Sequence, residues 1–487
     1  MNVRLNPAAL NNGSHWNSLF SPDSIAVIGA NETMGSWGSD AIRTALAVVK
    51  ADPTKKAYAV NPNQTRVLGT PSFSSILDIP GLVELAIIAV RSDLVPGVMR
   101  QCVQKGVKAA VIISAGFAEV DEAGAKLEAE VVGIARQGGI RFVGPNCIGH
   151  ANVHNGISCL GVTGWVKPGP MALLSQSGTM SASIMQGVSS RGIGISKFVS
   201  TGNEADLHLV DYLEYLDSDN DTKIIGAYVE GIRDGQRFFR LAKEITHRKP
   251  IVFIKTGGTE GAVRAARSHT SALAGSDTVL TAVFKQTGVI KVDDDEELCD
   301  VVLSLLSQPL PRGNRVGILT IGGGFGVMAA EACEREGLEI ASLQPKTISK
   351  LDTILPPRWS RGNPVDMVGV KTANEFDMIH ASLQAMVEDE NLDTIMALIT
   401  NRNYGGDKFR EIYEQNERAL KELGRKANEL GKSMLLVRHS PPQLQGEHGT
   451  STVSYIDRIP EYAKPQQAAR VLGHLLRYRR YLDGRNS

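Results

Sequence analysis

The sequence has few cysteines, no excess of charge of either sign and no long apolar run. Its five cysteines are odd in number and form no C-x-x-C pair, so neither a disulfide framework nor a zinc site is expected. Lys plus Arg and Asp plus Glu both total 52, which argues against nucleic acid or a membrane surface as the main partner. No run approaches the ~18 apolar residues of a membrane helix, and residues 1–20 lack the apolar core of a signal peptide. These absences predict a cytoplasmic protein that binds no metal of its own.

Aromatic residues are also scarce, at 5%, whereas glycine is abundant, at 49 residues. Glycine is expected where tight turns between strands and helices recur. The length of 487 residues predicts about three domains.

Apolar strands alternate with helical patterns along the chain, which indicates repeated βαβ units and parallel sheets. The sequence therefore predicts an α/β fold with three parallel-sheet domains, at residues 15–150, 165–308 and 313–482. Residues 150–169 have little periodicity and are interpreted as the connection between the first two domains. The Pro-rich stretch 307–314 is interpreted as the second linker. A final helix is predicted over Pro465–Leu482.

The first glycine turn, Gly29–Gly38, follows a strand and precedes a helix, and the backbone N–H groups at such a helix start favour phosphate. A nicotinamide dinucleotide site would place Asp or Glu at the end of the next strand to bind the ribose hydroxyls. This chain has Asn61 and Pro62 there instead. NAD is therefore disfavoured, whereas another adenosine-bearing phosphate ligand, such as coenzyme A, and a purely structural turn both remain open.

Three further features bear on phosphate chemistry. The helix start at Ser177–Thr179 offers hydroxyl groups and a favourable dipole to one phosphate, or is a plain N-cap. Glu230 follows a strand at the carboxyl edge of a sheet, where α/β folds bind ligands, or is a solvated loop residue. His269 lies on a Gly-rich loop, which suits a nucleophile that moves between partners, although most loop histidines only bond to their surroundings. A third glycine turn, Gly322–Gly326, could also hold an anion, but close packing is the favoured interpretation.

Several short motifs occur in order along the chain. They are Ala26–Ala30, Val60–Pro62, Ile113–Phe117, Gly144–Cys147, Ser175–Gly178, Lys197–Ser200 with Gly202-Asn203, Tyr228–Gly231, Ser268–Thr270 with Leu273–Ser276, and Asn363–Asp366. In this order they resemble the NDP-forming (ADP-forming) acyl-CoA synthetases, whose α part is similar to the α subunit of succinyl-CoA ligase. The resemblance covers residues 21–366 and, more loosely, the rest of the chain.

This resemblance implies an N-terminal Rossmann-like CoA-binding domain followed by two flavodoxin-like domains. It implies that His269 is the phosphohistidine and that Glu230 is the carboxylate that steadies it. The phosphoryl group would be received at Ser177, Gly178 and Thr179. The residues that it implies for the coenzyme A site are Gly29, Ala30, Asn61, Pro62, Val90, Ser114, Gly116 and Phe117.

The implied reaction is acyl-CoA + phosphate + NDP ⇌ carboxylic acid + CoA + NTP, through an acyl phosphate and a phosphohistidine. The family's Mg-nucleotide, ADP or ATP, belongs to an ATP-grasp domain of roughly 200 residues. The chain reaches Ser487 soon after its last predicted helix. A separate ATP-grasp β subunit and a hetero-oligomer are therefore expected, with a small carboxylic acid and its CoA thioester as the other partners.

One departure and two alternatives accompany this interpretation. Arg91 stands where the family often has Pro, which leaves the preference for coenzyme A or the acyl group open. The chain could instead be a CoA or acyl-CoA sensor or scaffold in which His269 is retained but idle. A nicotinamide oxidoreductase is the weaker alternative because of Asn61.

Overall fold

The structure of the protein is a computed structural model. It describes residues 14–159, 166–256, 277–368, 375–399, 407–438 and 459–484. The chain divides into two compact units. The first comprises Met1–Ser189 and Ile193–Asp295, and the second comprises Ser190–Gly192 and Glu296–Ser487. Among the described residues, no helix combines the length and the apolar character needed to cross a membrane.

The first unit begins with a sheet of mostly parallel strands. The strands are β1 (Ser24–Ile28), β2 (Lys56–Val60), β3 (Arg66–Val67), β4 (Thr70–Phe73), β5 (Leu85–Ile88), β6 (Ala109–Ile112) and β7 (Arg141–Val143), and the helices are α1 (Ser14–Phe20), α2 (Trp37–Ala51), α3 (Val95–Lys105) and α4 (Glu122–Gln137). Their order is β3-β4-β2-β1-β5-β6-β7, with only the β3–β4 pair antiparallel among the described strands. From β4 onward this is the 3-2-1-4-5-6 order of the Rossmann fold, which confirms the predicted fold class.

Both faces of this sheet are buried. Ile25 and Val27 of β1 belong to one apolar cluster, and Ala26 and Ile28 belong to another on the opposite face. Successive side chains of a strand point to opposite faces, so a strand covered on both sides is apolar at every position. This is why β1 could be recognised as a continuous apolar run.

A second sheet completes the first unit. Its strands are β8 (His150–Asn152), β9 (Ile157–Ser158), β10 (Pro168–Ser175), β11 (Ile195–Ser200), β12 (Ile224–Val229), β13 (Ile251–Lys255) and β14 (Ile290–Val292), and its helices are α5 (Gly178–Ser190), α6 (Leu209–Ser218), α7 (Gly235–Ile245) and α8 (Asp277–Thr287). The order is β14-β13-β12-β10-β11-β8-β9. Counted from β10, the parallel strands follow the 2-1-3-4-5 order of flavodoxin, as predicted.

The interpretation of residues 150–169 as a connection was wrong in part, because β8 and β9 belong to the second sheet. β8 pairs antiparallel with β11, and β9 pairs antiparallel with β8. These strands are too short to show a period, and β8 contains polar residues. Two of their polar side chains bond to backbone inside the unit: the Nε2 of His150 lies 2.5 Å from the carbonyl oxygen of Leu19, and Asn152 donates to that of Phe20.

The second unit contains one further sheet. Its strands are β15 (Arg315–Thr320), β16 (Glu339–Ile340), β17 (Val365–Asp366), β18 (Thr394–Leu398), β19 (Ser433–Val437) and β20 (Glu461–Tyr462), and its helices are α9 (Asp295–Ser307), α10 (Gly323–Arg335), α11 (Pro345–Ile354), α12 (Glu375–Val387), α13 (Asp407–Glu429) and α14 (Pro465–Leu482). The order is β16-β15-β18-β19-β20, with β17 beside β15. This is again a flavodoxin order with parallel pairing. The final helix has the predicted limits.

Candidate active site

Four residues of the candidate CoA site lie at one edge of the first sheet. Gly29, Asn61 and Val90 follow β1, β2 and β5, and Ser114 follows β6. The strands are parallel, and β1 lies between β2 and β5, so their carboxyl ends meet where the strand order reverses. In open α/β sheets this reversal creates the crevice in which ligands bind.

The turn after β1 requires glycine. Gly29 has φ +93°, and a Cβ atom there would lie 2.3 Å from the carbonyl oxygen of Ala89. At Gly38, inside α2, a Cβ atom would lie 2.0 Å from the carbonyl oxygen of Gly29. Close approach of the helix to the strand end therefore depends on both glycines. The helix begins beside the crevice, with its N-cap at Ser36.

Asn61 has a local reason to be an amide. Its Nδ2 group donates to the carbonyl oxygen of Ala30 across 2.8 Å. A carboxylate has no hydrogen to donate, so the Asp or Glu of a nicotinamide site could not make this bond when ionised. The amide at position 61, where a nicotinamide site would have Asp or Glu, therefore stabilises this turn.

The remaining predicted CoA residues reach the edge in different ways. Ser114 donates its hydroxyl to the carbonyl oxygen of Val90. Gly116, with φ +104°, and Phe117 both donate backbone N–H groups to the Oε1 atom of Glu119, at 2.6 and 3.1 Å. Ala30 and Phe117 are fully buried in the core, so neither side chain is accessible to a ligand. Pro62 is exposed.

The predicted phosphate turn lies at the corresponding point of the second sheet. Ser177–Thr179 follows β10, which lies between β11 and β12. Helix α5 begins at Gly178, and Ser177 accepts bonds from the backbone N–H and the hydroxyl of Ser181. The side chain of Thr179 is exposed. The turn thus offers an accessible hydroxyl beside the positive end of a helix dipole.

Gln176 joins this turn to Glu230, which follows the neighbouring strand β12. Its Oε1 atom accepts from the backbone N–H groups of Glu230 and Gly231, at 2.6 and 3.0 Å. Its Nε2 group donates to the carbonyl oxygen of Gly231 at 2.9 Å and to the Oε1 of Glu204 at 3.0 Å. The loops that contain Ser177 and Glu230 are far apart in sequence but are joined by these hydrogen bonds.

Lys255 supports Glu230 from the other side. It is buried at the end of β13, and its Nζ donates to the carbonyl oxygens of Glu230, at 2.9 Å, and of Thr256. Thr256 is the last described residue before 257–276, so His269 lies outside the described residues. Burial, together with the charge of Glu230, raises the pKa of Tyr228, whose hydroxyl accepts from Thr256.

Asn203 joins the second sheet to a loop of the first sheet within the first unit. Its Nδ2 group donates to Glu119 at 2.6 Å and to Glu128 at 2.8 Å. Its main-chain carbonyl oxygen accepts from Arg233 at 2.8 Å. Burial opposes the charge on Glu119, but bonds from Asn203 and from backbone N–H groups lower its pKa overall. Burial raises the pKa of Glu128.

Sequence reasoning missed the linking residues of this site. Gln176 and Asn203 lay in recognised motifs without a role, and Glu119 and Lys255 were not considered. The available signal was a polar residue directly after a buried strand, as at Gln176. That signal does not identify the residue to which such a side chain bonds, because it does not show which strand ends are neighbours.

The third glycine turn has the character of a packing contact. A Cβ atom at Gly326 would lie 2.9 Å from the Cγ2 atom of Thr320, and one at Gly323 would lie 2.8 Å from the carboxylate of Asp366. A carboxylate already beside the helix start disfavours a second anion there. The Asn363 side chain bonds to backbone groups of Ile318, Val316 and Ala341, so this motif also stabilises the sheet.

The models of two protein families match parts of this chain. Residues 23–152 match the model of a CoA binding domain, and residues 168–305 match that of a succinyl-CoA ligase-like flavodoxin domain. The α subunit of an ADP-forming acetate–CoA ligase II from Pyrococcus furiosus is 37% identical over 451 residues, which cover 92% of this chain and 95% of that protein.

Two further proteins show the same relationship. An ADP-forming acetate–CoA ligase I from Archaeoglobus fulgidus is 41% identical over 382 residues, covering 78% of this chain but 54% of that protein, so this chain spans about half of that longer relative. A dinucleotide forming acetyl-coenzyme A synthetase 1 from Ca. Korarchaeum cryptofilum, solved with phosphate and ADP, superposes with a TM-score of 0.82 at 30% identity, over 97% of this chain and 98% of that one.

Proposed function

Because this chain belongs to the ADP-forming acyl-CoA synthetases, an acid–thiol ligase family whose α subunit it matches over nearly its full length, we propose that it performs the acyl and phosphoryl transfers of that reaction. The overall conversion is acyl-CoA + phosphate + NDP ⇌ carboxylic acid + CoA + NTP. Coenzyme A and phosphate are bound at the two sheet edges of the first unit. Neither the sensor nor the oxidoreductase alternative has comparable support.

One observation carries the assignment of residues. The start of α5 at Gly178 and the loop at Glu230 are held together by the Gln176 side chain. A helix start that favours a phosphoryl group therefore lies beside the loop that bears Glu230, whose carboxylate can orient an imidazole. Glu204 bonds to Gln176, and its neighbour in sequence, Asn203, bonds to Glu119, which holds the loop of Gly116 in the candidate CoA site.

The proposed sequence has three transfers. A phosphate oxygen attacks the thioester carbonyl carbon, the carbon–sulfur bond breaks, and CoA leaves as the thiolate, giving an acyl phosphate. His269 then attacks the phosphorus atom, and the carboxylate leaves. Finally the phosphoryl group passes from His269 to a nucleoside diphosphate. Ser177, Gly178 and Thr179 would stabilise charge on the phosphoryl oxygens, and Glu230 would hold the imidazole proton.

We further propose that the nucleotide step takes place on an ATP-grasp β subunit, which would bind the Mg-nucleotide in a hetero-oligomer with this chain. The support is that a relative matched over most of its length is itself named a subunit alpha. The CoA residues remain part of the same proposal, as do the predicted domain limits 15–150, 165–308 and 313–482, except that β8 and β9 extend the second sheet to residues before 165.

Phosphohistidine formation tests the proposal with this chain alone. The purified protein is mixed with acetyl [³²P]phosphate, chosen because named relatives are acetate–CoA ligases. We expect acid-labile, base-stable label in the wild type, none in His269→Ala, and normal label in His154→Ala, a substitution at an exposed histidine. Label that persists in His269→Ala would contradict the assignment.

A second measurement separates the enzyme from a sensor. Coenzyme A binding is measured by calorimetry, and turnover by ATP formation after the candidate β subunit is added. Binding of coenzyme A without label or turnover, over a series of acyl phosphates of small carboxylic acids, would favour the sensor. The same series would identify the preferred acid, which no cluster of basic or aromatic residues in the sequence identifies.

A further inference from the structure

The amide of Gln176 uses its full bonding capacity. Its oxygen accepts two backbone N–H groups, and its nitrogen donates both hydrogens, to Gly231 and Glu204. A side-chain amide has two donor hydrogens and two acceptor positions. Since Glu230 and Gly231 supply donors on one side, and a carbonyl and a carboxyl lie on the other, only one orientation of the amide satisfies every partner.

Glu204 reinforces that orientation at a local cost. It is 2% exposed and has φ +52°, a left-handed conformation that favours glycine. Its Oε1 atom accepts from Gln176, and its Oε2 atom is buried without a hydrogen-bond partner among the described residues. A buried carboxyl group on a strained backbone is expensive to maintain, and its hydrogen bond to Gln176 offsets part of that cost.

We propose that Gln176 is a positioning residue that fixes the carboxylate of Glu230 relative to the phosphate turn at Ser177, with Glu204 setting the orientation of its amide. Gln176 directly precedes Ser177, and its side chain crosses to the end of the adjacent strand. The loop that bears Glu230 is thus held on the side of the phosphate turn by Gln176 and on the other side by Lys255. This inference rests on the proposed function.

The substitution Gln176→Glu isolates this role. A carboxylate at position 176 can still accept from the N–H groups of Glu230 and Gly231. When ionised it cannot donate, so it faces the carboxylate of Glu204 and the carbonyl of Gly231 with no hydrogen between them. We expect the loop of Glu230 to move away from the turn while the sheet stays folded, because the backbone pairing of β10 with β12 is untouched.

The double variant Gln176→Glu/Glu204→Gln supplies a rescue. An amide at position 204 can donate to a carboxylate at position 176, which restores the bond with its polarity reversed. The single variant Glu204→Gln keeps an acceptor for Gln176 and is expected to remain close to wild type. Gln137→Glu, at an exposed position at the end of α4, is the matched control for the same change of charge.

The test measures phosphohistidine formation from acetyl [³²P]phosphate in single turnover, together with the KM for CoA and thermal unfolding. Gln176→Glu should slow labelling at least about 30-fold while the KM for CoA changes less than about threefold, and the double variant should regain at least about tenfold. Should Gln176→Glu fail to fold, Gln176→Met replaces it, with the same expected loss.

Two results would overturn the inference. Labelling at the wild-type rate in Gln176→Glu would show that Glu230 needs no such fixing. A loss that Glu204→Gln does not rescue, accompanied by an equal change in the KM for CoA and a lowered Tm, would show a merely structural role. Absence of label in the wild type would instead overturn the proposed function, and with it this inference.

Discussion

Asn203 donates an amide hydrogen to Glu119 across 2.6 Å, and through this bond the end of a strand in the second sheet holds a loop of the first. The other oxygen of Glu119 accepts from Gly116 and Phe117, two residues of the candidate CoA site. The backbone that would meet the ligand is thus positioned by a carboxylate that is itself fixed from the neighbouring sheet.

Glu119→Gln should raise the KM for CoA about five- to twentyfold and change kcat less than about threefold. The new amide must turn its hydrogens toward either the N–H groups of Gly116 and Phe117 or the amide of Asn203, so one bond becomes a donor–donor contact. Steady-state kinetics with the reconstituted enzyme measures both constants. The control is Glu122→Gln, an exposed residue of α4, which should leave the KM unchanged. An unchanged KM in Glu119→Gln would show that this loop does not bind CoA.

Thr179→Val should weaken phosphate use without affecting the fold. The side chain is exposed at the start of α5, and valine keeps its shape while removing the hydroxyl. A lost hydrogen bond to a charged group corresponds to a rise of about tenfold or more in the KM for phosphate. The KM is measured in the direction of acyl-CoA consumption. Thr353→Val, an exposed threonine of the second unit, is the control; equal effects of the two substitutions would contradict a phosphate contact at Thr179.

Arg91→Ala should have little effect on stability or CoA binding. The guanidinium is largely exposed and bonds to Asp93, at 2.7 and 3.1 Å. Such an exposed pair contributes less than about 1 kcal/mol to the free energy of unfolding. Because Asp93 already neutralises the charge, we expect less than about a threefold change in the KM for CoA. A rise above about tenfold would mean that Arg91 leaves Asp93 to contact the phosphates of CoA.

The buried His150 should make the protein less stable as the pH falls. Burial lowers its pKa from the ordinary 6.5 to about 4. Between these values the unfolded chain binds a proton that the folded chain does not, so stability is fully present above pH 6.5 and is lost as the pH falls toward 4. The loss from this group is about 3 kcal/mol at most. Urea unfolding at several pH values measures it.

His150→Gln provides the comparison for that series. Glutamine can still donate to the carbonyl of Leu19, as His150 does through Nε2, but it does not titrate in this range. Its free energy of unfolding should depend less on pH between 6.5 and 4 than that of the wild type. The exposed His247→Gln should keep the wild-type slope. Identical slopes for the wild type and His150→Gln would show that another group causes the acid sensitivity.

The fold class and most of the strands and helices could be predicted from the sequence. Apolar runs such as Ile25–Ile28 could be recognised because strands of a parallel sheet covered on both faces are mostly apolar. Helix α14 could be placed at Pro465–Leu482 because proline favours the first turn of a helix. The sequence also marked Gly29 and Ser177–Thr179 as turns where a strand meets a helix. It did not reveal β8 and β9, whose short, polar segments have no measurable period.

Which strand ends lie side by side, and therefore which of their residues bond to each other, depends on the tertiary structure. Gln176 and Glu230 are 54 residues apart, and Asn203 and Glu119 are 84 residues apart. Local sequence carries no sign of such pairs, because they depend on which parallel strands are neighbours and therefore on strand order. The orientation of the Gln176 amide and the burial of Glu204 follow in turn from that order. The chemistry of each residue can thus be read from the chain, whereas the partner of each residue follows from the packing of the strands.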